Sequence, residues 1–184
     1  MHLMRKLSAA VASLTILFAF VACDQSTDTP KETPWTSVTS IDGFVGTWVS
    51  LETSDGTMGS SGDTYTVTTT NTVENGGTWP ISFSMVQDYT EMVVAMTNMM
   101  AQLNPAVTEA SVWSEIQQEM DDTMMGVSVT FSTASPWMAS VAVSMTEDQA
   151  FAPGTVIEKS PDGTQLRITS TDSEGTSVMT YTKQ

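Results

Sequence analysis

Hydrophobic and polar residues alternate over much of the chain after residue 44, and this period of two predicts short β-strands. Turn sequences separate the strands, most clearly Glu74-Asn75-Gly76-Gly77 and Ser160-Pro161-Asp162-Gly163. About eight strands are predicted, at residues 46–52, 64–73, 79–85, 127–131, 138–145, 155–159, 164–169 and 176–182. Short strands with such turns favour a mainly β fold, either an antiparallel barrel or a sandwich.

Between residues 88 and 125 the period becomes that of a helix. Asp88 and Glu91 have the spacing of a capping box at a helix start. Apolar residues then recur at helical spacing in two stretches: Met92, Met96, Met99, Met100 and Leu103, followed by Val112, Ile116, Met120 and Met124. Asn104-Pro105 separates the stretches, and Gly126 favours a helix end. The pattern therefore predicts two paired amphipathic helices inserted at residues 88–125.

The N-terminal pattern differs from both. Arg5 and Lys6 precede an uncharged apolar run over residues 7–21, which is shorter than the roughly 20 residues of a spanning helix. The run ends at Phe20-Val21-Ala22-Cys23, which resembles the lipobox where bacterial lipoprotein signals are cleaved. The resemblance implies that residues 1–22 are removed and that Cys23 carries a lipid such as palmitate. Ordinary cleavage and an uncleaved anchor helix are the alternatives.

The mature chain is predicted to contain a tether and one domain. Residues 23–40 are rich in Ser, Thr, Asp and Pro and poor in aliphatic residues, which is typical of a flexible tether. The domain is predicted at residues 41–184, with the helical insertion inside it. A lipid on Cys23 would hold this domain at the extracytoplasmic face of a membrane in the cell envelope.

Removal of the signal limits the chemistry that remains. His2 is the one histidine and Cys23 the one cysteine of the chain. A mature chain without histidine contains no Ser-His-Asp or Cys-His system and no His/Cys zinc site. The carboxylates match neither a glycosidase pair nor a calcium loop. We therefore predict no enzyme activity, no metal site and no cofactor.

Charge limits the partners. Loss of Arg5 and Lys6 leaves 4 Lys plus Arg against 21 Asp plus Glu, a net charge of −17. Nucleic acid is not expected as a partner, because phosphate binding needs a basic surface. An anionic membrane would also repel such a chain as a whole, so the lipid is expected to provide the attachment.

The chain contains 14 methionines, which raises the alternative of a Cu(I) site built from thioethers. Val93, Leu103 and Ile116 continue the same helical stripes, and they cannot bind metal. Packing in an adaptable core or lid is therefore the preferred interpretation.

The segment Gly46-Thr47-Trp48, on the first predicted strand, resembles the opening motif of lipocalins and lipocalin-like bacterial lipoproteins. The resemblance implies a calycin-type barrel in which Trp48 closes one end and Arg167, on the penultimate strand, packs over it. Lipocalins have no helical pair between their third and fourth strands, so we expect such a barrel with a displaced insertion. The alternative is that Trp48 and Arg167 form a stacking pair that supports the core.

An eight-stranded barrel has room for side chains or for one small ligand. The candidate ligand-binding residues are Phe83, Met85, Met96, Met99, Phe131, Val143 and Met145. The sequence thus predicts a lipid-anchored extracytoplasmic binding protein for a small apolar ligand. The alternative is an envelope structural or protein-interaction lipoprotein with a packed, ligand-free interior.

Overall fold

The structure is a computed structural model that describes residues 34–58, 63–123, 128–171, 173 and 175–184. The predicted signal peptide, Cys23 and Gly126 lie outside the described residues. The strands are β1 (Thr36–Ser37), β2 (Gly46–Met58), β3 (Asp63–Asn75), β4 (Ile81–Asp88), β5 (Val129–Phe131), β6 (Met138–Met145), β7 (Thr155–Lys159), β8 (Gln165–Thr171) and β9 (Thr176–Lys183). The helices are α1 (Thr90–Ala101), α2 (Glu109–Thr123) and α3 (Glu147–Ala150), with a 3-10 helix at Ile41–Phe44. Within these residues, no helix combines the length and the apolar character needed to cross a bilayer.

The strands form an antiparallel sheet in the order β1-β7-β8-β9-β2-β3-β4-β6-β5. The mainly β fold and the helical pair are thus confirmed. The hydrogen-bonded series begins at β1 and ends at β5, so the sheet of the described strands is open. The predicted closed barrel is therefore not confirmed.

β2 differs most from its predicted bounds, because it continues from residue 52 to Met58. Asp and Gly disfavour strands, so the Asp55-Gly56 dipeptide predicts an end. Two contacts with β3 keep this part extended. The Thr66 hydroxyl donates a hydrogen bond to Asp55 Oδ1 at 2.9 Å, and the Tyr65 ring lies where a Cβ on Gly56 would be.

β1 lies inside the segment predicted as a tether. Thr36 is opposite Lys159 of β7, and Ser37 is opposite Glu158. The Val38 N–H donates to the Ile157 carbonyl oxygen at 2.8 Å, and the Val38 side chain is buried. One aliphatic residue in a polar stretch gives no hydrophobic periodicity, so β1 could not be predicted from the sequence. Its pairing with β7 is what identifies it as a strand.

The chain divides into two compact units. The described part of unit 1 comes from Leu51–Thr70 and Met85–Ala142, and that of unit 2 comes from Leu17–Ser50, Asn71–Ser84 and Val143–Gln184. Each unit has its own hydrophobic core. The single domain over residues 41–184 stays a prediction beside this division.

The helical pair forms much of the core of unit 1. The buried helical residues are Met92, Val93 and Met96 from α1, and Val112, Trp113, Ile116 and Met120 from α2. They pack with buried strand residues, among them Val67 and Ala139. The helices are therefore integral to this core. Their apolar spacing in the sequence is equally compatible with a core and with a lid, so it did not decide between them.

The predicted capping box is wrong. α1 begins at Thr90, whose backbone N–H donates to Asp88 Oδ1 at 2.9 Å. Glu91 Oε2 accepts a hydrogen bond from the backbone N–H of Thr66 in β3 at 3.0 Å. The Glu91 carboxylate therefore joins the helix to the sheet. It accepts from a backbone N–H of β3 and not from the backbone N–H at the start of α1, as a capping box would require.

In unit 2, the register of β7, β8 and β9 aligns apolar side chains in rows. Ile157 is opposite Ile168, which is opposite Met179, and Leu166 is opposite Tyr181. Directly opposed residues share a face of the sheet, so both rows contribute to the core. The face is complete when Trp48 and other buried residues of β2 to β4 join it.

Candidate functional site

The residues predicted to line a ligand cavity divide between the two cores. Their places are Met96, Met99 and Phe131 in the core of unit 1, Phe83 and Met145 in that of unit 2, Met85 half-buried, and Val143 with 40% of its surface exposed. Side chains that pack into different cores do not form one site. Val143 is exposed although Val141 is buried, so the alternation of β6 is lost toward its end.

Arg167 does not occupy the place that the lipocalin resemblance implies. Its guanidinium lies 4.3 Å from the centre of the Trp35 ring and forms an ion pair with Glu158, 2.7 Å from Nη2 to Oε2. Glu158 is directly opposite Arg167 on the neighbouring strand β7. Opposed residues share a face, so Arg167 extends from the face opposite to the one that carries Leu166 and the core.

Two lysines occupy that place instead. Lys159 Nζ lies 5.3 Å from the centre of the Trp48 ring, and Lys183 Nζ lies 5.4 Å from it. Trp48 is fully buried, and its indole N–H donates to the Phe44 carbonyl oxygen at 2.8 Å. The ring is therefore held as a fixed platform beside two ammonium groups.

Gly46 gives Lys183 its path to that ring. Its φ of 120° lies in the region that favours glycine, and a Cβ there would approach Lys183 Cε to 3.0 Å. Lys183 is directly opposite Trp48 in the β2–β9 register. Glycine at position 46 of the Gly-x-Trp motif thus leaves room for the aliphatic part of the Lys183 side chain to pass over the β2 backbone toward Trp48.

A pocket of about 460 Å³ lies next to Lys159. Residues 36–40 and Gly43 line one side, and residues 159–163 line the other. Its polar lining residues are serines, threonines, Lys159 and Asp162, and Val38 and Pro161 are its larger apolar ones. All of these residues belong to unit 2.

The turn that forms one wall is held by its own hydrogen bonds. The Gly163 N–H donates to the Ser160 carbonyl oxygen at 2.9 Å, and Gly163 has a φ of 71° that favours glycine. The Ser160 hydroxyl donates to Asp162 Oδ1 at 2.6 Å and accepts from the Gln165 N–H at 2.9 Å. Asp162 Oδ1 also accepts from the Thr164 N–H at 3.0 Å. Because these groups are engaged, the wall is preformed.

The other wall is fixed by close packing. A Cβ on Gly43 would overlap the Val38 side chain, so only glycine lets the 3-10 helix lie against this residue. The Asn75 side-chain amide donates to the Ile41 carbonyl oxygen at 3.4 Å, which ties the same helix to β3. Thr36, Ser37, Thr39 and Ser40 are exposed and line the pocket.

The titratable side chains of the described residues give two further observations. Burial raises the pKa of Tyr89, whose hydroxyl donates to Gln87 Oε1 at 3.0 Å in unit 1, far along the sequence from the pocket residues. Within the described part of the chain, no three His, Cys, Asp or Glu residues gather as a metal site would require. The pocket offers hydrogen-bond donors, acceptors and one cation.

Hydrogen bonds from the Ser160 hydroxyl and then from Thr164 lower the pKa of Asp162 from 3.8 to about 2. A lowered pKa in the folded state stabilises the fold above the unfolded value, and this stability is lost as the pH falls from about 4 toward 2. We expect Asp162→Asn to reduce the loss of stability in that window. Urea unfolding at pH 2 to 5 measures it.

Asp148→Asn is the control, because it removes the same charge from an exposed carboxylate on α3. The control should lose stability with acid as the unmodified protein does. If the Asp162 variant lost as much stability between pH 5 and 2 as the unmodified protein, the ionised Asp162 carboxylate would not contribute to the stability of the fold.

No sequence period marked this pocket, because its residues come from a two-residue strand and a turn. The Ser-Pro-Asp-Gly turn was predicted, and its proximity to residues 36–40 was not. That proximity follows from the pairing of β1 with β7, which joins residues more than 120 positions apart.

Comparisons with known proteins give no match: no family model, no curated protein and no solved structure is similar to this chain. The lipoprotein and lipocalin resemblances stay predictions from the sequence.

Proposed function

We propose that this chain is a lipid-anchored extracytoplasmic binding protein that holds a small polar ligand in the pocket between residues 36–43 and the β7–β8 turn. The pocket is the observation that carries the proposal. Its volume of about 460 Å³ falls in the range of roughly 300–1,000 Å³ that small-molecule sites occupy. Both walls are held by hydrogen bonds or close packing, so little ordering is needed on binding.

The chemistry of the pocket favours a polar ligand over the apolar one that the sequence predicts. Exposed hydroxyls at Thr36, Ser37, Thr39 and Ser40 and the Lys159 ammonium can donate hydrogen bonds to a ligand. The residues predicted to bind an apolar ligand are mostly engaged in the two cores. A packed interior is compatible with binding at this surface pocket.

The proposed anchor is close to the pocket along the chain. Thr36 follows Cys23 by 13 residues, which span at most about 45 Å when fully extended. A lipid on Cys23 would therefore keep the pocket near the membrane surface. The closed calycin-type barrel also remains a prediction, since the described pairings end at β1 and β5.

Native mass spectrometry of the protein purified from its own cells tests the proposal. We expect a small molecule to copurify with the protein and to be lost when Thr39→Trp fills the pocket. Ser82→Trp is the matched control, because Ser82 is also exposed in unit 2 but does not line the pocket.

The control variant should keep the molecule. Equal occupancy in both variants would show that the molecule binds outside this pocket and would overturn the proposed site. No bound molecule in the unmodified protein would favour the alternative of an envelope structural or protein-interaction lipoprotein.

A further inference from the structure

We propose that Lys159 and Lys183 form a phosphate-binding subsite on the Trp48 platform, at the Lys159 side of the pocket. The inference rests on the proposed function, because it names the chemical group of the ligand that the pocket holds. Neither lysine was singled out by the sequence.

The distribution of positive charge is the first argument. Only 4 Lys and Arg residues follow the predicted signal, and Lys159, Arg167 and Lys183 are the described ones. Of these three cations, Arg167 forms an ion pair within the described part of the chain, and its partner is Glu158. Lys159 and Lys183 have no carboxylate within ion-pair distance there, although the chain has 21 Asp plus Glu.

The second argument is convergence. Lys159 ends β7 and Lys183 ends β9, and β8 lies between these strands in the sheet. Their Nζ atoms lie 5.3 and 5.4 Å from the centre of the same Trp48 ring. These two distances place the ammonium groups within about 11 Å of each other, and an anion bound at either would offset the repulsion between the like charges.

The third argument is the neighbourhood of Lys159. This residue lines the pocket and is directly opposite Thr36, so the hydroxyl and the ammonium share a face. An ammonium with adjacent hydroxyls suits a phosphate group, which accepts several charge-assisted hydrogen bonds. Two carboxylates are near this cation in sequence: Glu158, paired with Arg167, and Asp162, engaged through Oδ1 with Ser160 and Thr164.

The phosphate can come from a soluble phosphate ester or from a phospholipid headgroup near the proposed anchor. The test uses the mature chain carrying Cys23→Ser, so that no lipid chain contributes to binding. Inorganic phosphate is titrated while NMR follows the indole N–H of Trp48, which Trp48→Phe identifies. Vesicles of phosphatidylglycerol provide the second arm, read by sedimentation.

We expect phosphate to shift this resonance with saturation. Lys159→Gln and Lys183→Gln should each weaken binding about tenfold, as loss of a charge-assisted hydrogen bond does. Lys31→Gln removes the same charge from the predicted tether and, as the control for net charge, should change binding less than about twofold. Lys183→Arg keeps the charge and should retain binding even where Lys183→Gln fails to fold.

Vesicle binding with the same lysine dependence would assign the phosphate to a lipid headgroup, and phosphate binding alone would assign it to a soluble ester. The subsite would be overturned if phosphate gave no saturable shift and the vesicles did not sediment the protein, or if all three Lys→Gln variants weakened binding equally. A neutral molecule that still copurifies with the unmodified protein would leave the proposed function standing without this inference.

Discussion

Trp113→Ala is expected to lower the free energy of unfolding by about 3–5 kcal/mol, the cost of removing a large aromatic side chain from a core. Trp113 of α2 is buried, and its ring centre lies 5.9 Å from those of Tyr89, Phe131 and Trp137. Its indole N–H donates to the Ser132 carbonyl oxygen at 2.9 Å, just after β5. The substitution therefore leaves a cavity in unit 1 and removes the shorter of the two hydrogen bonds that the Ser132 carbonyl oxygen accepts, the other coming from the Gln117 side-chain amide at 3.5 Å.

This loss is large beside a typical domain stability of about 5–15 kcal/mol, so it is easily measured by urea unfolding followed by circular dichroism. Leu103→Ala is the control, because Leu103 is 80% exposed just after α1 and its removal should cost less than about 0.5 kcal/mol. If both substitutions cost equally little, the helical pair is a peripheral cover and the integral core described for unit 1 is incorrect.

Cys23→Ser is expected to move the protein from the membrane fraction to the soluble fraction. With the predicted signal removed, the net charge is −17. An acidic chain has little affinity for an anionic membrane, whereas two or more acyl chains hold a protein stably. The lipid on Cys23 is thus proposed as the attachment.

Fractionation of cells that express each variant, together with labelled palmitate incorporation, measures this effect. Ser26→Ala, three residues further along the predicted tether, should keep both the label and the membrane fraction. Equal membrane recovery of the Cys23 variant would contradict the lipoprotein interpretation while leaving the pocket and its ligand to their own tests.

Elements with a strong local pattern could be predicted from the sequence. The alternation in β3 and β9 and the four-residue spacing in α2 depend on neighbours a few positions apart, so periodicity reveals them. The Asp162 turn was likewise predicted, because Pro and Gly impose backbone angles locally.

Partners across the sequence could not be predicted in this way. The guanidinium of Arg167 stacks on Trp35 because strand register, and not residue type, determines which face a side chain occupies. Glu91 leaves the helix start for a strand N–H for a similar reason.

The sequence by itself determined the mainly β class, the helical pair, the acidic charge and the single histidine, His2. Only the tertiary structure decided that the apolar candidates pack into two cores, and that Lys159 and Lys183 meet at Trp48 beside a hydroxyl-lined pocket. The physical reason is that local period specifies which side of an element is apolar. Which elements become neighbours depends on long-range pairing, such as that of β1 with β7.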